Sequence, residues 1–252
     1  MNHFVLMFLF SVLYSVVSGT NQTEDFAHSQ KKFQRVRAAY ANHEAETKKE
    51  LQLKNLNLSK LELAFIAYKA EDKLMLYARN RGDKKFILFK QYKICAKSGK
   101  LGPKRKQGDM QVPEGLYHID RFNPSSLYHL SLGINYPNAS DRVLANKASP
   151  GGDIFIHGEC VTIGCLPMTN KVIEQIYLLA VEAKNAGQKK IPMYIFPFEM
   201  NEANLKKYSA EHQPHEEFWK NLQKAYTFFE DHRTEIPFII DTQGKYRISG
   251  TP

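Results

Sequence analysis

Cysteine is scarce in this 252-residue chain: three residues, Cys95, Cys160 and Cys165. An odd count excludes a framework of intramolecular disulfides that uses every thiol. At least one sulfur is left free or paired between molecules. Acid is in deficit, with 26 Asp+Glu against 35 Lys+Arg and a formal net charge of +9. That balance suits an anionic polymer or surface, although the cations are spread along the chain, as solvated faces also are. No dense basic arm, RNA-binding aromatic signature or zinc-finger spacing occurs, so nucleic acid is not read as a partner. Internal repeats and low-complexity tracts are also missing. What remains is an ordinary globular composition, 43% apolar and 24% charged, long enough for one sizeable core and an extension.

Long apolar runs are absent except at the start. Phe4 to Val17 is apolar apart from Ser11 and Ser15, and small residues follow up to Gly19. This predicts a secretory signal over 1–19. Met1-Asn2-His3 lacks the usual Lys or Arg. The run is short of the about 20 residues a membrane span needs. A retained N-terminal anchor is the alternative, and only then would the chain touch a membrane. No cysteine follows the run, so no lipid attachment by a lipobox thiol is expected.

Residues 20–60 predict a helical linker. Gln30 to Leu53 is rich in helix formers, and Phe33, Val36, Ala39 and Tyr40 form a thin apolar stripe at helical spacing. From Leu61 short apolar runs bounded by turn residues predict strands: 63–68, 73–78, 86–89, 92–96, 116–119, 130–134 and 153–157. Such spacing points to a sandwich or barrel. Lys171 to Ala186 predicts a helix closed by Gly187, Pro192 to Phe196 a strand, Glu216 to His232 a second helix, and Pro237 to Ile240 a last strand.

The chemistry concentrates in 156–170. His157, Gly158, Cys160, Thr162, Gly164 and Cys165 share one loop between a strand end and a helix, and loops on rigid scaffolds are where active sites gather. Gly164 lets the chain turn sharply and present the Cys165 thiol. Amides near the helix start would favour a thiolate or an oxyanion, and a lowered pKa would make that thiolate a nucleophile. His157 is the candidate base. Three other readings stay open on these residues. One is an inert buried thiol beside a hydrogen-bonded core histidine. Another is a zinc site on His157, Cys160 and Cys165, with His118 or His129 as fourth ligand. The last is a Cys160–Cys165 disulfide that silences the nucleophile.

The ordered pattern His157-Gly158-x-Cys160-x-Thr162-x-Gly164-Cys165-x-x-Met168-Thr169 resembles the active-site motif of the YkuD-type L,D-transpeptidase family, in its YafK-like branch. Upstream stretches are similar to that branch as well: Cys95 to Lys104, Gln107 to Tyr117, and Asn123 to Ser126 with Leu130 to Asn138. Thr162 stands where the branch has Ser, and Ile163 where the wider family has a second His. Met110 and Val112 replace a Gly and a Thr.

The resemblance implies a mainly β, YkuD-like sandwich or barrel with peripheral helices over 61–200. A helical N-terminal extension precedes it, and 201–252 is an α/β, mostly helical extension packed on the domain. It implies that Cys165 attacks the carbonyl of the third residue of a peptidoglycan stem peptide and that His157 takes the proton. The Gly164 and Cys165 amides would form the oxyanion hole. Thr162, Tyr117 and His129 would contact substrate, with His118 also near the cleft. No metal or organic cofactor is called for. The acyl group would pass to an amine, including that of a wall-linked protein, or to water in a hydrolase. Such an enzyme is exported and works in the periplasm or cell envelope. A non-catalytic wall-binding module on the same fold is the competing expectation.

Overall fold

The computed structural model describes residues 25–250; the segment read as an export signal lies outside them. Two N-terminal helices, α1 (Phe26–Lys31) and α2 (Gln34–Gln52), come first. The single predicted helix is broken where Phe33 takes extended dihedrals. There follow β1 (Leu61–Tyr68), β2 (Lys73–Asn80), β3 (Ile87–Lys93), β4 (Gly115–Asn123), β5 (Ser131–Ile134), α3 (Ala139–Leu144), β6 (Phe155–His157), β7 (Leu166–Pro167), α4 (Asn170–Asn185), β8 (Ile191–Phe196), α5 (Glu202–Glu211), α6 (Glu216–His232), β9 (Phe238–Ile240) and β10 (Tyr246–Ile248). Eight strands form one continuous mixed sheet in the order β3-β2-β1-β8-β4-β5-β6-β7, and β9 and β10 form a separate hairpin. The mainly β core with peripheral helices is therefore present, as a single curled sheet covered on both faces.

The sequence of β1 shows why both faces are covered. Leu63 to Tyr68 is apolar without alternation, the mark of a strand buried on two sides. Leu63, Phe65 and Ala67 enter one core with α2 and α4. Ala64, Ile66 and Tyr68 enter another with Trp219, Leu222 and Phe229 of α6. Each fully buried large apolar side chain is worth about 1.5–3 kcal/mol.

α4 starts at Thr169, whose side chain accepts from the Val172 amide, and ends before Gly187 at φ +96°. Ile173, Ile176, Leu179, Ala180 and Ala183 are fully buried on it. The apolar stripe of α2, Val36, Ala39, Tyr40 and Leu51, is buried in the core that α2 shares with α4. In α6, Trp219, Leu222, Ala225 and Phe229 recur at helical spacing and form the buried side. Among the described residues no helix is long and apolar enough to cross a membrane.

The predicted pieces 86–89 and 92–96 form one strand, β3, paired along β2 with an irregularity at Leu76/Tyr77. β6 and β7 close the sheet as a parallel pair, Ile156 opposite Leu166 and His157 opposite Pro167. The loop joining them, 158–165, carries the candidate chemistry. It returns to the sheet in β7 before α4 begins, so the helix start does not directly follow Cys165.

Candidate active site

Thr162 organises the turn before Cys165. Its Oγ1 accepts from the amides of Gly164 (3.1 Å) and Cys165 (2.8 Å) and donates to the Cys165 carbonyl (2.9 Å). Both amides expected at an oxyanion are thus engaged by a side chain, and Thr162 serves the turn. Gly164 has φ +143°, and a Cβ there would come 3.1 Å from the Gln111 carbonyl oxygen. Glycine is required both by the dihedral and by the close approach of the 99–114 loop.

His157 is buried on β6, with Nδ1 2.6 Å from the Gly158 carbonyl oxygen. That contact takes Nδ1–H as donor and leaves Nε2 as an acceptor. The ring of Tyr128 lies over it, centroids 4.7 Å apart. Burial pushes the His157 pKa down, outweighing the Gly158 hydrogen bond and the Glu159 charge. Burial also pushes the Cys165 thiol up, and Asp153 adds to this against opposing effects of a Phe155 backbone hydrogen bond and Lys104. The sequence expectation of a lowered thiol pKa is therefore reversed, because no helix terminus or nearby cation overcomes desolvation. At neutral pH both shifts favour the uncharged forms, a thiol and an imidazole. Cys165 Sγ lies 3.7 Å from the Asp153 carbonyl oxygen.

Cys165 borders two cavities. One of about 480 Å³ also holds Phe155, His157, Tyr128, Thr162 and Ile163. The other, about 210 Å³, is walled by Lys69, Lys100, Leu101 and Val112. The first is rimmed by apolar side chains open to solvent: Leu127 is 91% exposed and Ile163 78%.

Cys95 and Cys160 form a disulfide across 65 residues, and Cys165 is the free thiol. A Cys160–Cys165 bond is thereby replaced by a bond that spares Cys165. The His-Cys-Cys zinc set loses the Cys160 sulfur to the same bond. The Cys95 amide also donates to the Pro167 carbonyl at 3.0 Å, so the end of β3 is tied to both ends of the loop.

Tyr117 is buried, and its hydroxyl donates to Asp141 Oδ2 at 3.0 Å. It lines a separate cavity of about 940 Å³ together with His118. His129 sits beside the site but binds Glu174 Oε1 through Nε2 at 2.7 Å, while His43 Nε2 lies 3.0 Å from the other oxygen. Thus Cys165, His157, Gly164 and Thr162 come together, whereas Tyr117, His118 and His129 serve other contacts. Tyr128, Phe155 and Asp153 are site residues that motif spacing does not reveal. Tyr128 stands three residues before the strand neighbour of His157, Ser131, a relation that only the β5–β6 pairing supplies.

Residues 64–195 match the L,D-transpeptidase catalytic domain, YkuD. The chain belongs to the YkuD L,D-transpeptidase family. The Escherichia coli (strain K12) protein named "Putative L,D-transpeptidase YafK" is 37% identical over 184 residues, 72% of each chain. Among solved structures, the helical cell shape determining protein Pgp2 from Campylobacter jejuni aligns at 17% identity and TM-score 0.45, over 75% of this chain and 91% of that one. Bdellovibrio bacteriovorus Bd1075 aligns at 25% identity and TM-score 0.39, over 54% of this chain and 48% of that one. In this YkuD domain the histidine of the family motif ends β6, and the cysteine closes the loop that leads into β7, at the end of the sheet.

Proposed function

We propose that the chain is a cysteine acyltransferase acting on peptidoglycan stem peptides outside the cytoplasmic membrane. The observation that carries this is that Cys165 and His157 line one cavity, with His157 Nδ1 held by the Gly158 carbonyl and Nε2 left to serve as the base.

The chemistry follows from that protonation state. The thiol proton passes to His157 Nε2 as sulfur attacks the carbonyl of the third stem residue. The tetrahedral oxygen takes the negative charge. On collapse the C–N bond to the fourth residue breaks, and the imidazolium proton goes to the departing amine. The thioacyl on Cys165 then passes to an acceptor amine, whose proton His157 takes up, and the thiol is regenerated. Water in the acceptor's place gives hydrolysis. The Gly164 and Cys165 amides can serve the oxyanion only by exchanging Thr162 Oγ1 for it. The disulfide supports export, because such bonds persist in oxidising compartments.

Purified residues 20–252, with the disulfide intact, are incubated with tetrapeptide muropeptides and with protein-linked wall fragments, beside Cys165→Ala. Mass spectrometry should show loss of the fourth residue and a new crosslink or released product, absent in the variant. A folded protein with a free Cys165 thiol that gives neither turnover nor thioacyl adduct would leave the wall-binding module as the reading.

A further inference from the structure

We infer that Trp219 and Glu114 are positioning residues through which α6 holds the 99–114 loop against the nucleophile. This rests on the reading of Cys165 as nucleophile. α6 lies outside the residues matched to the catalytic domain.

Glu114 is fully buried, and both its oxygens are used. Oε1 accepts from Lys69 Nζ and from the Gly102 amide, each at 2.8 Å. Oε2 accepts from Trp219 Nε1 at 2.8 Å. Lys69 completes the knot. Its Nζ donates also to the carbonyls of Gly102 (2.8 Å) and Val112 (2.9 Å), which satisfies all three of its hydrogens. One carboxylate therefore fixes the two ends of the loop and joins them to β1, through Lys69, and to α6, through Trp219.

The loop so held touches the site twice. Its Gln111 carbonyl closes on Gly164, the residue before the nucleophile. Leu101 and Val112 wall the smaller cavity beside Cys165. A buried, charged node is stable only while every member has its partner. Losing the indole N–H leaves Glu114 Oε2 buried and unpaired, and the loop relieves this by moving toward water. That motion opens the wall beside the thiol.

The first readout of the test needs no substrate. Trp219→Phe keeps a ring against Phe198, whose centroid lies 5.1 Å away, and removes the donor together with part of the buried indole volume. Leu222→Val is the control: Leu222 is fully buried on the same helix and makes no contact with Glu114 through a polar group. Well below melting, the rate of Cys165 alkylation by iodoacetamide should rise about tenfold in Trp219→Phe, the change a lost hydrogen bond to a charged group makes in an opening equilibrium. It should stay within about twofold of wild type in Leu222→Val, where any loss is of stability alone. In the muropeptide assay kcat should fall about tenfold or more in Trp219→Phe, with KM moving less. Equal alkylation rates in wild type and Trp219→Phe overturn the inference, as does an equal rise in Leu222→Val. Because alkylation reports on the loop whatever the substrate, an absence of acyl transfer in wild type would count against the proposed reaction alone.

Discussion

The ring of Tyr128 covers the imidazole of His157, at 4.7 Å between centroids and 37° between planes. The backbones are tied as well, since the Gly158 amide donates to the Tyr128 carbonyl at 3.0 Å. The aromatic cover contributes to the burial that lowers the His157 pKa. Tyr128→Ala should expose the ring and let that pKa rise toward the ordinary value of about 6.5. Protonated imidazole cannot accept the thiol proton, so the acid limb of kcat/KM against pH should move to higher pH. An unmoved limb, with a fold intact by circular dichroism, would show that Tyr128 does not govern His157.

Thr162 Oγ1 accepts from two backbone amides. Thr162→Ser keeps the acceptor and should leave activity within about threefold, a loss well below one hydrogen bond. Thr162→Val keeps the shape but orphans both amides, at about 1–3 kcal/mol for a buried donor. Thermal unfolding should show that cost, and thioacyl formation should fall at least tenfold. Equal behaviour of the two variants would remove the hydroxyl from the account.

Asp109 anchors the loop that follows Lys104. Burial acts to raise its pKa, but the Lys104 ammonium and the amides of Arg105, Lys106 and Gln111 outweigh it, and the net shift is downward. A depressed folded-state value stabilises the protein above the unfolded pKa, and the contribution is lost as pH falls through the folded value. Asp109→Asn should therefore destabilise by about 2 kcal/mol at neutral pH. The difference should shrink once the pH drops below about 3.9. Urea titrations of both proteins across that range check it, and a pH-independent difference would contradict the ionic account.

Met110 has φ +57°, a left-handed conformation that costs an L side chain roughly 1–2 kcal/mol. This is where the YafK-like branch carries Gly. Met110 is also 48% exposed, so little packing is lost on its removal. Met110→Gly should stabilise by about 0.5–1 kcal/mol after the added chain entropy of glycine is counted, read as a rise in Tm. A fall in Tm would show that the Met110 side chain repays its strain.

Long, strongly periodic segments were legible from sequence. The predicted helix over 216–232 coincides with α6, and that over 171–186 is shifted by one residue from α4. Local signals fail where the stabilising contact is distant. α5 has Ser209 as its only buried residue, and its apolar side is no more than the partly buried Leu205 and Tyr208, too thin a stripe to read. α3 is only six residues long, although its Asn138–Asp141 capping box was present in the sequence as a start signal. In the site, Cys165, His157 and the turn glycine could be found because they share one short loop. The pairing of Cys95 with Cys160, the cover from Tyr128 and the engagement of Glu114 by Trp219 all join residues far apart in sequence. No motif spacing encodes them.

Cys95–Cys160 is also a statement about the order of thiols along the chain. If the chain crosses a membrane from its N-terminus, Cys95 emerges first, Cys160 second and Cys165 last. An oxidase that joins thiols as they arrive makes the observed bond and finds no partner for the third. Cys165 is thus left unpaired by its place in the queue, and a Cys95→Ser chain would offer Cys160 only Cys165. Counting reactive thiols in the exported protein should give one per chain for the natural sequence and none for the misjoined variant.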